Sequence, residues 1–220
     1  MKNISKYIFL LALAISTAAK AQDTDTLVFR PSLSLGYDVL GMARKLIEPQ
    51  VFMHGVSLGY QWRPNWTASI ELGTLDIDIL KETHHYLARG FFLRTGVNYN
   101  LLQRRASMPG EELFVSVRYG FGNLTHEAPY ILINNPYWGR FETLKQPANY
   151  ASHWAEIGGG LKTKLFWNIF IGWDLRIRMK LSSKSEIDME PYYISGFGKG
   201  KNNSAIMLHY SVYYKFPYGK

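Results

Sequence analysis

Residues 169–182 alternate between apolar and polar side chains with a period of two. Trp173 and Leu175 belong to the apolar set, and Asp174 and Arg176 belong to the polar set. Successive side chains of a β-strand point to opposite faces, so this alternation predicts a strand with one apolar and one polar face. Such a strand is longer than a typical globular strand and long enough to cross a membrane at a tilt.

The same alternation recurs along most of the chain of 220 residues. Between turn-forming residues it predicts eight strands, at 32–39, 51–62, 66–75, 88–100, 112–123, 152–165, 169–182 and 204–216. No apolar run after residue 21 is long enough for a transmembrane helix. The pattern therefore indicates an all-β chain that closes into a barrel.

Glycine indicates which face of this barrel points inward. Eleven of the twelve glycines in the predicted strands lie on the polar face, and Gly159 is the exception. Glycine weakens a strand on a water-facing surface, but inside a narrow barrel it leaves room for long charged side chains. We therefore expect the polar face to line the lumen and the apolar face to contact lipid. A soluble periplasmic lipocalin-like binding barrel, with the faces reversed, is the alternative.

The predicted lumen carries both acids and bases. Eight strands enclose a space that side chains just fill, and charges buried there have to pair. We expect an ion-pair network in the lumen that consists of Glu71, Arg94, Arg118, Glu156, Lys162, Asp174, Arg176 and Arg178. The predicted fold is thus an eight-stranded antiparallel up-and-down transmembrane β-barrel with a plugged polar interior. A leaky pore is the alternative, and it would favour anions because bases outnumber acids.

Residues 1–21 have the pattern of a cleaved secretory signal peptide. Lys2 and Lys6 precede a short apolar run, and Ala19-Lys20-Ala21 forms an A-x-A cleavage site. Residues 22–220 would then form a single barrel domain. Export and a lipid-facing surface together predict an outer-membrane location.

The connections between the predicted strands differ in length. Three-residue connections at 63–65 and 166–168 are typical of periplasmic turns, and longer connections are typical of outer loops. The predicted outer loops are 40–50, 76–87, 124–151 and 183–203. The longest of them is rich in Tyr and Trp, so it is expected either to bind ligands at the surface or to cover the barrel mouth as a lid.

Histidines near these loops raise an enzymatic alternative. His126, Glu127 and His153 are the candidates for a rim site that hydrolyses or transfers lipid acyl chains, because His acts as a base near neutral pH. No nucleophile motif such as G-x-S-x-G accompanies them. We therefore predict a protein that is not an enzyme. The chain has no Cys, and His84 and His85 would point apart in a strand, so no metal site and no cofactor are expected.

Several motifs along the chain resemble those of a known family. They are Val117-Arg118-Tyr119-Gly120-Phe121, Pro136-Tyr137-Trp138-Gly139, Trp154-Ala155-Glu156 and Pro191-Tyr192-Tyr193-Ile194-Ser195-Gly196-Phe197. The chain is similar to a family of uncharacterised outer-membrane β-barrel proteins from Bacteroidota-type Gram-negative bacteria, over nearly all of the mature chain. The resemblance implies an outer-membrane barrel and supplies no catalytic residues.

The net charge of the chain is +8, and it falls to +5 without the three lysines of the predicted signal peptide. This charge is too mild to indicate nucleic-acid binding by an exported protein. We expect a monomer whose partners are outer-membrane lipids and, through the outer loops, ligands at the surface. The expected role is structural or a surface interaction.

Overall fold

The computed structural model describes residues 29–102, 110–137, 139–186 and 189–216, so the predicted signal peptide lies outside the described residues. The helix α1 spans Val39–Ile47. The strands are β1 Ser32–Asp38, β2 Val51–Arg63, β3 Trp66–Lys81, β4 His84–Asn100, β5 Glu112–Asn135, β6 Gly139–Phe166, β7 Ile169–Ser185, β8 Tyr193–Ile194, β9 Gly198–Lys199 and β10 Ser204–Phe216. No helix among the described residues is long and apolar enough to cross a membrane.

Eight of these strands form a closed antiparallel barrel. Strands β1 to β7 pair in chain order, β10 pairs with β7, and β1 pairs with β10 to close the ring. The closing pairs run from Leu33↔Phe216 to Asp38↔Ser211. We call the end where β1 begins and β10 ends the base, and the opposite end the mouth. The predicted eight-stranded up-and-down barrel is confirmed.

The burial of the strands near the base confirms the predicted orientation of the two faces. In β7, Arg176 is 3% exposed and points into the lumen, whereas Leu175 is 48% exposed on the outer surface. The polar face therefore lines the lumen, and the apolar face surrounds the barrel as a transmembrane barrel requires. A lipocalin-like barrel would have the opposite arrangement.

The glycines on the lumen face make room mainly for aromatic rings. A Cβ on Gly120 would lie 2.1 Å from Cε2 of Trp154, and a Cβ on Gly36 would lie 2.4 Å from Cδ1 of Tyr213. Charged side chains use this space as well, because Arg118 occupies the position beside Gly96. The expectation that glycine serves long charged side chains was therefore only part of the explanation.

Towards the mouth, the polarity of the wall reverses. Ile77 and Ile79 in β3 point inward and are buried, whereas Asp76 and Asp78 point outward. A cluster of buried apolar residues fills this half of the barrel; it consists of Val51, Met53, Leu75, Ile77, Ile79, Tyr86, Ala88, Phe92, Leu124, Tyr150, Trp154, Tyr193, Ile194 and Phe197. The barrel thus has the polarity of a membrane barrel near the base and that of a soluble barrel near the mouth.

This reversal explains why two predicted outer loops are not loops. Residues 76–87 continue β3 and β4 to a two-residue turn at 82–83. Residues 124–151 belong largely to β5, which ends at Asn135, and to β6, which begins at Gly139. The alternation persists in 76–87, but the apolar side chains there point inward. A strand prediction that requires an apolar outer face therefore ends β3 at residue 75 instead of at Lys81. The long β5–β6 segment is exposed on both faces near its tip and therefore has no amphipathic pattern.

The other two predicted outer loops also contain secondary structure. Most of 40–50 forms the helix α1, whose Gly41 N–H donates to Oδ1 of Asp38 at 3.1 Å. Asp38 is therefore the N-cap of the helix. Residues 183–185 extend β7, and the rest of 183–203 carries the β8–β9 hairpin.

Candidate functional site

The lumen contains a buried cluster of three carboxylates and three guanidinium groups, which we call the central cluster. Its members are Glu71, Glu156, Asp174, Arg94, Arg176 and Arg178, and all are less than 10% exposed. The three negative and three positive formal charges of the cluster sum to zero. Six of the eight predicted network residues are thus in contact with one another through ion pairs.

Strand register brings the opposite charges of this cluster together. Glu71 of β3 lies directly across from Arg94 of β4, and Glu156 of β6 lies across from Arg178 of β7. Arg94 and Glu71 form a direct ion pair, and Nε of Arg178 lies 2.9 Å from Oε1 of Glu156. Opposite charges at facing strand positions stabilise the pairing of the strands.

Arg94 joins the two strand pairs through Glu156 at 3.2 Å. Arg176 links Asp174 to Glu71. Its Nη1 donates to Oε2 of Glu71 at 2.8 Å, and its Nη2 donates to Oδ2 of Asp174 at 3.1 Å. Glu156 also accepts a hydrogen bond from the Trp154 indole at 2.7 Å. Every charge in the cluster therefore has an opposite charge beside it, as burial in a narrow lumen requires.

The remaining two predicted network residues lie elsewhere in the lumen. Lys162 Nζ lies 3.2 Å from Oε2 of Glu112, and Lys215 Nζ lies 2.6 Å from Oε1 of the same carboxylate. Arg118 donates to Ser116 Oγ and to Asn98 Oδ1, both at 2.9 Å. The predicted residues therefore form a central cluster, a separate lysine pair on Glu112, and an arginine bonded to neutral groups.

Asp38, Glu71 and His209 lie close enough together to hold a metal ion, with ligand atoms within 4.8 Å of one another. Arg178 Nη2 lies 2.6 Å from His209 Nε2, and His209 Nδ1 lies 3.1 Å from Oδ2 of Asp38. Arginine only donates, so Nε2 accepts a hydrogen bond from Arg178, and Nδ1 carries a hydrogen that it donates to the Asp38 carboxylate in a hydrogen bond. Both ring nitrogens are engaged, and the adjacent guanidinium repels a cation, so these residues fit a hydrogen-bond chain better than a metal site.

The β8–β9 hairpin enters the lumen from the mouth and closes it, and we call residues 191–200 the plug. Arg94 donates to the carbonyl of Gly196 at 2.6 Å, and Arg178 donates to the carbonyl of Phe197 at 3.0 Å. The Phe197 ring is fully buried and packs edge-on against Trp154, with centroids 5.8 Å apart. Gly196 has a φ of 75°, a conformation that favours glycine.

The three rim candidates do not form one site. His126 is buried inside the wall between the rings of Tyr86 and Tyr150. His153 lies on the outer surface, where it bonds the Tyr119 hydroxyl and stacks 4.9 Å from Phe121. Glu127 follows His126 in β5, and both line a cavity of about 290 Å³ that His153 does not line.

A cleft of about 570 Å³ opens at the mouth, and we call it the mouth cleft. The corner after α1, the β3–β4 hairpin and the start of the plug form its walls. It is lined by Glu48, Pro49, Gln50, Val51, Ile79, Lys81, His84, Tyr86, Met189, Glu190 and Tyr192. Its volume lies within the range of small-molecule binding sites, about 300–1,000 Å³.

Residues 1–220 match the sequence profile of a family described as Domain of unknown function (DUF6048). The chain belongs to this family. A comparison with curated proteins finds no match. The motifs predicted that the chain belongs to an uncharacterised family, and its membership in a family of unknown function confirms this prediction. The Bacteroidota-type origin stays a prediction.

Two solved structures are similar to the barrel of this DUF6048 protein. A major outer membrane protein from Thermus thermophilus has a TM-score of 0.53 and 11% identity, over 86% of this chain and 100% of that chain. The N-terminal β-barrel domain of Pseudomonas aeruginosa OprF has a TM-score of 0.41 and 15% identity, over 84% of this chain and 96% of that chain. The likeness to the Thermus protein supports the fold.

The sequence did not predict the contacts of several residues that line the lumen of this DUF6048 protein. Glu112 was overlooked although it begins a predicted strand and faces Lys162 in the register. His209 was placed on a strand but given no partner. The plug residues gave no periodic signal, and their contribution through backbone carbonyls does not depend on side-chain identity.

Proposed function

We propose that this protein is a closed outer-membrane β-barrel that acts at the surface through its mouth and its β5–β6 hairpin, and that it is neither a pore nor an enzyme. The observation that carries this proposal is the plug. Its backbone carbonyls accept hydrogen bonds from Arg94, Arg178 and, at 2.7 Å, Lys180. Hydrogen bonds from charged donors are stronger than neutral ones, so the plug is firmly attached to the wall.

The lumen below the plug supports a closed state. The central cluster crosses the barrel from β3 to β7, because Arg176 bonds Glu71. Between this cluster and the base, the cavity lined by Ser34, Thr67 and Asn98 measures about 30 Å³. This space holds only one or two water molecules. The small cavity and the ion pairs across the lumen both support the proposal of a closed barrel.

The β5–β6 hairpin supports an interaction role. Leu132 still donates a backbone hydrogen bond to the β3–β4 turn, and Asn149 still accepts one from the segment after β7. Residues 133–137 and 139–145, which we call the arm, form ladder pairs only within the hairpin among the residues that the structure describes. Ile133 and Phe141 face each other on one side of the arm and are exposed. Exposed aromatic and aliphatic side chains of this kind suit contact with another molecule.

Conductance tests the closed state. The purified protein is inserted into planar bilayers, and we expect no steady current. Deletion of residues 193–199 should open the lumen and produce a current, provided that the variant keeps the heat-dependent gel mobility of a folded barrel. Deletion of residues 134–140 in the arm is the matched control and should remain silent. A steady current from the unaltered protein would contradict the proposal.

Labelling tests the location and orientation. The chain has no Cys, so a single introduced thiol has no background. Tyr137→Cys at the arm tip, where the side chain is 93% exposed, should react with a membrane-impermeant maleimide on intact cells. Lys164→Cys near the base should react only after the outer membrane is opened. Reaction of the base position alone on intact cells would reverse the proposed orientation.

A further inference from the structure

The arm leaves one edge of β6 open. On one side, β6 pairs with β5 along the whole arm. On the other side, its ladder with β7 starts only at Tyr150, and the bond from Glu186 N–H to Asn149 O is the last backbone contact there among the described residues. The edge from Gly139 to Lys145 therefore presents backbone N–H and C=O groups with which another strand can pair.

The charges on this edge alternate in sign. Arg140 and Glu142 are exposed, and they lie on the same face of β6, two residues apart. Across the hairpin they face the uncharged Asn134 and Leu132, so neither has an opposite charge at its own ladder position. Protected edges commonly carry lysines, and a single sign of charge repels a second copy of the same edge. Because this edge carries both signs, a second copy can place opposite charges against it.

The charges complement a second copy in one register. If β6 of another chain runs antiparallel along this edge with the two Phe141 residues opposite each other, Arg140 of each copy faces Glu142 of the other. A shift by two residues in either direction would instead place Arg140 opposite Arg140 or Glu142 opposite Glu142. Opposite charges at facing positions stabilise a strand pair, and like charges destabilise it. The sequence of the edge therefore favours the register centred on Phe141.

An apolar row crosses the arm in the same register. Ile133 of β5 lies directly across from Phe141 of β6, and both side chains are exposed. Pairing of two copies would extend this pair to a row of four side chains on one face of a four-stranded sheet. Aromatic and β-branched side chains on neighbouring strands stabilise a sheet, and the row removes apolar surface from water.

We propose that the arm binds the arm of a second copy of this chain, edge to edge, in an antiparallel sheet centred on Phe141. Each subunit contributes the same edge, as a two-fold interface requires. The two barrels then lie at opposite ends of the paired arms, which suits copies in facing membranes or in separate detergent micelles. The contact is small, so we expect a concentration-dependent dimer instead of the monomer that the sequence predicts. This inference rests on the proposed surface role of the arm.

Charge reversal tests the proposal on the full chain in detergent, with sedimentation equilibrium as the measurement. We expect Arg140→Glu and Glu142→Arg each to weaken self-association by about tenfold, because each places like charges opposite each other twice. A mixture of the two variants restores both pairs of opposite charges and should associate like the unaltered chain. Arg89→Glu on the barrel wall is the matched control and should leave association unchanged. An unaltered chain that stays monomeric, or a mixture without rescue, would overturn the proposal.

A single thiol tests the register, because the chain has no Cys. Phe141→Cys lies on the two-fold axis, so a copper–phenanthroline oxidant should join two chains by a disulfide. Thr143→Cys on the same face is the control. Its two thiols would lie four residues apart along the paired strands, about 13 Å, which is too far for a disulfide. Equal cross-linking of the two variants would overturn the register.

The two proposals fail separately. A folded, electrically silent barrel that stays monomeric would remove the paired arms and leave the closed barrel intact. A steady current would remove the closed barrel whatever the association experiment shows.

Discussion

His209 Nδ1 lies 3.1 Å from Oδ2 of Asp38, and this contact joins the last strand of the barrel to the first. The other carboxylate oxygen of Asp38 accepts the Gly41 N–H at the start of α1. On the far side of the imidazole, Arg178 bonds both His209 and the Phe197 carbonyl. One hydrogen-bond chain therefore connects the helix, the closing seam and the plug.

The first prediction concerns Asp38. Asp38→Ala removes the helix cap, about 0.5–2 kcal/mol, and leaves the buried His209 N–H without an acceptor, about 1–3 kcal/mol. We expect the free energy of unfolding in lipid vesicles to fall by roughly 2–4 kcal/mol. Guanidinium titration followed by tryptophan fluorescence measures it.

Asp78→Ala is the matched control, because Asp78 also pairs with a histidine. Its carboxylate lies 2.9 Å from His85 Nε2, but its side chain is 68% exposed. Exposed pairs contribute about 0–1 kcal/mol, so this variant should be nearly as stable as the unaltered chain. Equal losses in the free energy of unfolding for the two variants would show that the hydrogen-bond chain through His209 contributes no more than an exposed pair.

The second prediction concerns Glu156 in the central cluster. Glu156→Gln leaves three guanidinium groups with two carboxylates in a buried site, because Arg94 and Arg178 both lie against Glu156. Removal of one partner from a buried ion pair typically lowers stability by about 3–5 kcal/mol. Urea or guanidinium unfolding in vesicles measures the loss. Glu142→Gln on the exposed arm is the control, and a loss at Glu156 no larger than at Glu142 would contradict a buried network.

The third prediction concerns the space beside Trp154. In Gly120→Ala, the added Cβ would lie 2.1 Å from Cε2 of that ring, so the indole has to move away from Glu156. Overpacking of this kind lowers stability by about 1–3 kcal/mol. Gly159→Ala is the control, because its Cβ points outward and meets Phe114 O at an ordinary 3.4 Å. Thermal unfolding in detergent compares the two, and a less stable Gly159→Ala would contradict the assigned faces.

The alternation of side chains was sufficient to predict the strands near the base. Leu175 and Arg176 were assigned to the correct faces because a two-residue period leaves a strand between lipid and lumen only one favourable orientation. The same rule failed beyond Leu75, because the apolar side chains Ile77 and Ile79 face inward there and Asp76 and Asp78 face outward. A pattern search that allowed either polarity would have found Ile77 and Ile79 inside.

The pairing of charges could not be predicted in the same way. Membership of Glu71 and Arg94 in the lumen follows from alternation, but their contact depends on the register of β3 against β4, which the β3–β4 turn sets. The longer contact from Arg176 to Glu71 spans the barrel, so it depends on closure of the whole ring. The plug lacks periodicity altogether and binds through backbone groups.

The last prediction tests the lipid-facing surface with one substitution at two places. Leu175 in β7 is 48% exposed and Leu144 in the arm is 53% exposed, so the two side chains are similarly accessible in the isolated chain. Arginine on the lipid face of a barrel lowers stability by about 2–4 kcal/mol near the bilayer midplane and by little in water. We therefore expect Leu175→Arg to impair folding into vesicles and Leu144→Arg to leave it unchanged, as judged by the heat-dependent gel shift. Equal folding of both variants would mean that lipid does not cover β7, because only a bilayer distinguishes these two leucines.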